Sequence, residues 1–130
     1  MKIKIKAIFL GALVDFGGSI IIGSLLIGIG FAIYYAKQGV PMGEIESKMY
    51  SDTLPLVTSI IVGYIFTFLG GFVTGKIAKS HEILNSAFLG FIVVIFGIPF
   101  WNRFPIWFNL FGLFFTVPIA MLGGKVSIKK

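Results

Sequence analysis

The sequence predicts an all-α integral membrane protein, a four-helix bundle with both termini in the cytoplasm. Three observations carry this expectation. Of 130 residues, 57% are hydrophobic and only 12% are charged, against about 25% charged in an ordinary soluble domain. Mean hydropathy is +1.00, more apolar surface than a soluble chain of this size can hide. The apolar residues also gather into four segments of spanning length with the bases at their ends. Disorder would require the opposite composition.

The segments cover residues 7–36, 54–78, 83–101 and 105–124. A span needs about 20 apolar residues, and the last three fit directly. The first would reach about 45 Å as a straight helix, at ~1.5 Å per residue. It therefore tilts strongly, kinks near Gly17-Gly18-Ser19, or projects beyond the membrane. The opening Met1-Lys2-Ile3-Lys4-Ile5-Lys6 has the charge of a signal peptide. The apolar run behind it is too long, holds Asp15 and lacks a small-x-small cleavage site, so it reads as an uncleaved first span. Residues 1–130 form one transmembrane domain.

Orientation follows from the bases. Lys2, Lys4, Lys6, Lys76, Lys79, Lys125, Lys129 and Lys130 fall on one side, eight in all. Lys37, Lys48 and Arg103 fall on the other, beside Glu44, Glu46 and Asp52. The positive-inside rule then puts both termini in the cytoplasm, as an even number of spans requires. The location expected is the bacterial cytoplasmic (inner) membrane, as a multi-pass protein. The net charge of +6 belongs to lipid headgroups and topology, so nucleic acid is not an expected partner. Tyr34, Tyr35, Tyr50, Trp101 and Trp107 lie near the outer interface, where amphipathic rings are comfortable. The segment from Phe100 to Trp107 reads as a tight aromatic turn at headgroup level.

The outer loop from Gln38 to Thr53 is the one substantial polar stretch. Gly39, Pro41 and Gly43 make its first half turn-rich, and residues 44–50 read as a short amphipathic interfacial helix. Asp52 is placed to cap the second span, with Pro55 tolerated in its first turn.

Small residues four apart mark contact faces, because helices in lipid associate by close backbone approach. Gly71 and Gly75 form such a pair, preceded by Gly70, and Gly63 and Thr67 continue the face. Ser19/Gly23, Ser24/Gly28 and Ser86/Gly90 repeat the spacing on spans one and three. Packing of one bundle is the simpler use; a homo-oligomer seam, or contact with another membrane protein, is the other.

Asp15 most needs explaining. A carboxylate at that depth costs ~2.5–3.5 kcal/mol even on insertion scales, so it should face the bundle and find donors. Helix rise places Thr67 and Thr116 at comparable depth, with Tyr64 somewhat higher. Asp15, Tyr64, Thr67 and Thr116 are therefore the expected intramembrane polar cluster, either a structural hydrogen-bonding group or a proton carrier.

Other chemistry is sparse, and no enzyme is expected. His81-Glu82 has no second His to complete a zinc helix, one Asp cannot form a carboxylate pair, and no Cys is present. No metal and no cofactor are expected.

Two resemblances follow. Gly70-Gly71-Phe72-Val73-Thr74-Gly75-Lys76-Ile77-Ala78-Lys79, then His81 and Asn85-Ser86-Ala87-Phe88-Leu89-Gly90, resembles uncharacterised small four-helix bacterial membrane proteins. That likeness implies fold and location and brings no activity. Gly11-Ala12-Leu13-Val14-Asp15 is similar in placement to the helix-one acid of small multidrug resistance transporters, with Tyr64 standing for a ligand-facing aromatic. That family carries Glu, has a mid-membrane Trp on helix three and a shorter outer loop, and goes with weak charge bias. The sequence alone favours a structural or accessory membrane protein acting through helix contacts. The alternative is a small proton-coupled transporter of small or cationic substrates using Asp15.

Overall fold

The computed structural model describes residues 2–128, and every element among them is helical. Helix α1 covers Ile5–Ile22 and passes through a π-helical turn, Gly23–Gly28, into α2 (Ile29–Lys37). Helix α3 (Met42–Ser51) precedes α4 (Thr53–Ala78) and α5 (Glu82–Gly97), which ends in a 3-10 turn, Ile98–Arg103, before α6 (Ile106–Ser127). Four continuous helical stretches are long and apolar enough to cross a membrane: Ile5–Lys37, Thr53–Ala78, Glu82–Arg103 and Ile106–Ser127.

The first three stretches contain their expected segments, the fourth starts one residue late at Ile106, and the extensions of the first and last have local reasons. Asn85 fixes the start of α1 by accepting the Lys4 N–H at 2.6 Å. At the far end, Gly123-Gly124 remains helical instead of ending α6, because both glycines are pressed against neighbouring helices. The expected irregularity at Gly17-Gly18 falls instead at Gly23–Gly28. Gly18 is held on the ring of Phe66, whereas a Cβ at Gly23 or Gly28 would meet nothing within 4 Å. The helix loosens where nothing supports it. The interfacial helix forms as α3 with Ile45 buried. Asp52 does not cap α4; its Oδ2 accepts the Tyr35 hydroxyl at 2.7 Å and ties the loop to α2.

The helices alternate in direction, so Lys2, Lys4, Lys6, Lys76, Lys79 and Lys125 share one end of the bundle, the Lys-rich end. Lys37, Lys48 and Arg103 share the other, the loop end. Lys129 and Lys130, expected with the first group, lie outside the described residues. Helix α4 packs against α1, α5 and α6; α6 packs chiefly against α4 and α5.

The interior is built from small residues and the exterior from large ones. Ala7, Ala78, Ala87, Ala120 and Leu89 are buried, while Ile20, Phe96 and Phe114 are more than 60% exposed. That inversion suits helices whose surroundings are as apolar as their side chains. At the Lys-rich end the backbones meet through glycine. A Cβ at Gly71 would fall on the Ala120 carbonyl, at Gly75 on Ser127, at Gly90 2.7 Å from the Val117 Cα, and at Gly70 2.8 Å from the Gly11 carbonyl. Gly11, Gly123 and Gly124 complete this seam from the partner helices. Gly63, expected in it, is outside it: its Cβ would meet nothing within 4 Å. Polar groups in the seam are neutral and satisfied. Thr74 donates to the Gly70 carbonyl at 2.9 Å and Ser86 to the Gly71 carbonyl at 2.8 Å.

Candidate functional site

The crossing of Gly11 on α1 with Gly70 on α4 positions the site. One turn beyond Gly11 on α1 comes Asp15, and one turn beyond Gly70 on α4 comes Thr67. Bare backbone at the crossing lets Asp15 come in close: a Cβ at Gly70 would stand 3.1 Å from the Asp15 Cβ. Beyond that level the seam ends and the helices part.

The space that opens is a cleft of about 510 Å³, and Asp15, Tyr64, Thr67 and Thr116 all line it. Asp15 is 3% exposed, and Thr67 and Thr116 are also buried. The four do not form one hydrogen-bonded cluster. Tyr64 spends its hydroxyl on the Phe111 carbonyl, where the turn of α6 ahead of Thr116 brings that acceptor within reach. Thr67 and Ser19 are the hydroxyls beside the Asp15 carboxyl, Ser19 at 3.4 Å from Oδ1. Ser19 was legible as a neighbour, since residues four apart share a helix face. Oδ2 of Asp15 has no hydrogen-bond donor among the described residues.

The walls are apolar and aromatic. Phe100 and Phe108 face the cleft together with Gly63, Gly97 and Gly112, three glycines at which a Cβ would meet open space. Phe96 stands at the edge with Phe16 against it, ring centroids 5.4 Å apart. Toward the loop end the space continues beneath α3, past Ile45, Glu46, Met49 and Tyr50. There Tyr50 meets Phe104 edge-on at 5.2 Å, and Phe104 stacks on Phe108 at 4.4 Å. The hook holding these rings is pinned by Asn109, which donates to the Trp101 carbonyl at 2.7 Å.

Chemically, the arrangement presents one buried carboxyl with a spare oxygen, on the lining of a cleft that extends toward the loop end. Buried polar atoms are almost always paired, so an orphaned oxygen beside a cavity is the place where a proton, an N–H donor or a cation would be held. Aromatic faces along the way favour a cationic or apolar guest. No protein-family model matches the chain, and neither a characterised protein nor a solved structure shows significant similarity to it.

Proposed function

We propose that this is a four-span protein of the bacterial cytoplasmic membrane, with both termini inside, acting as a small proton-coupled carrier of small or cationic substrates. The observation that supports this reading is buried Asp15, whose Oδ2 has no hydrogen-bond donor among the described residues, on the lining of a cleft that extends toward the loop end. Asp15 exchanges its proton for the substrate's positive charge, and Phe100 and Phe108 hold the apolar part of the substrate. No covalent chemistry is required, so the protein is not an enzyme, and it needs neither metal nor cofactor.

An accessory role through helix contacts is weaker for a physical reason. The α4 small-residue face such a role would use is consumed within the chain, Gly71 by Ala120 and Gly75 by Ser127, which leaves it only the open Gly23 and Gly28 of the first stretch. A hydrogen-bonding Asp held only for structure would also be expected to have both oxygens satisfied.

Proton release tests the carrier reading. Adding tetraphenylphosphonium to the protein in weakly buffered detergent should release protons, and Asp15→Asn should release none while remaining folded. Equal cation binding by wild type and Asp15→Asn, without proton release, would refute it. Orientation is tested separately in this Cys-free chain. Ser47→Cys should react with an impermeant maleimide from outside intact cells, and Ser80→Cys only after permeabilisation; the reverse pattern would invert the topology.

A further inference from the structure

Helices α5 and α6 close at one end and part at the other. Near the Lys-rich end they touch through glycine, Gly90 against the Val117 backbone and Gly124 against Ser86. Near the loop end Gly97 and Gly112 line the gap between them, and a Cβ at either would meet nothing within 4 Å. Glycines in lipid-embedded helices ordinarily bring backbones together; these two keep a space open.

That space is a groove of about 540 Å³ that runs from Trp101 and Arg103 to Thr116, with Val94 and Leu113 on its walls. From the start of α6 to Thr116 is about 15 Å at the helical rise, half of a hydrocarbon core of about 30 Å. The groove is therefore one leaflet deep, apolar along its length and basic at its rim. Its rim carries the Arg103 guanidinium, 5.9 Å from the centroid of the Phe100 ring, with Trp101 beside it, the pair of residue types that settles at headgroup level. A guanidinium binds phosphate oxygens in bidentate fashion.

We propose that the α5–α6 groove is an acyl-chain site for an anionic phospholipid of the leaflet at the loop end, its phosphate on Arg103 and its chain tip at Thr116. This rests on the membrane placement above and not on the role of Asp15. Gly97, Gly112, Thr116, Phe100 and Phe108 line both this groove and the Asp15 cleft, so a seated chain occupies the side of that cleft between α5 and α6.

Native mass spectrometry of the delipidated protein, titrated with phosphatidylglycerol or phosphatidylcholine of identical chains, tests the site. Wild type should hold one phosphatidylglycerol about tenfold more tightly than phosphatidylcholine, whose choline cation offsets the charge of the same phosphate beside Arg103. Arg103→Gln should bring the two lipids to equal affinity without abolishing binding. Gly112→Leu fills the groove and should lose both lipids at an unchanged melting temperature; Gly97→Leu repeats the test from the opposite wall. Asp15→Asn should bind lipid as wild type does, which separates this site from the proton-exchange reading. Retention of phosphatidylglycerol by both leucine variants would overturn the groove assignment. Equal affinity of wild type for the two lipids would overturn the role of Arg103.

Discussion

Gly71 and Gly63 lie on the same helix and demand opposite outcomes from the same substitution. At Gly71 the methyl group of alanine arrives against backbone, overlapping the Ala120 carbonyl oxygen outright, 2.9 Å from its carbon and 3.0 Å from the Ala120 Cα. Ordinary contacts lie at about 3.5 Å, so α4 and α6 must separate by roughly 1 Å. No flexible side chain can yield instead. A gap of that size forfeits about a quarter to a half of each van der Waals well along the seam, and overpacking of this kind costs ~1–3 kcal/mol. At Gly63 the methyl enters open space, and removing glycine's backbone freedom stabilises a helix by ~0.5–1 kcal/mol. Gly71→Ala and Gly63→Ala should therefore differ by ~1.5–4 kcal/mol, with opposite signs against wild type. Reversible unfolding in mixed detergent micelles, followed by fluorescence of Trp101 and Trp107, measures both. Two variants within about 0.5 kcal/mol of each other would mean that the α4–α6 seam gives way freely, and the reasoning would fail.

Two further substitutions test the ends of the bundle. Asn85 is fully buried, accepts from the Lys4 N–H and donates to the carbonyls of Lys2, Ser80 and His81. Asn85→Ala should lower stability by ~1–3 kcal/mol through the groups it leaves unpaired, and hydrogen exchange at the Lys4 amide should accelerate. Tyr35→Phe removes the 2.7 Å bond to Asp52 and should cost ~0.5–1.5 kcal/mol. Its signature is faster amide exchange in α3 with the seam unaffected.

The helices were legible because a segment of spanning length is marked by length and apolarity, and both are written along the chain. Charge placement likewise separated the Lys-rich end from the loop end. The glycines were legible in kind and not in role. Spacing alone put Gly63 with Gly71, yet one faces a void and the other a backbone, and only the divergence of the helices beyond Asp15 decides between them. Partner glycines such as Gly11 and Gly124 carried no GxxxG signal of their own, since each is matched across helices and not along one. Helical rise brought Asp15, Tyr64, Thr67 and Thr116 to one depth, and all four do line one cleft. Depth cannot tell which hydroxyl turns where: Tyr64 bonds the Phe111 carbonyl, and Ser19 joins Thr67 beside the carboxyl.

The contrast between the seam and the cleft bears on why an acid stands at position 15. Where helices meet in the seam through a buried polar side chain, the group is neutral and paired: Ser86 donates to the Gly71 carbonyl, and Asn85 accepts the Lys4 N–H and donates to the Lys2 carbonyl. Any of these residue types would hold two helices together without the ~2.5–3.5 kcal/mol that an aspartate costs at such depth. Asp15 adds to that cost an acceptor oxygen with no donor. It sits one turn from the Gly11–Gly70 crossing and on the lining of the cleft, so one side of it is rigid backbone and the other is space. A residue that helix packing would not select, placed where packing ends and a cavity begins, is best understood through what enters the cavity. Asn at this position would keep the shape and the hydrogen-bonding capacity while removing the exchangeable charge. The difference between Asp and Asn therefore isolates the one property of the site that the architecture does not otherwise require.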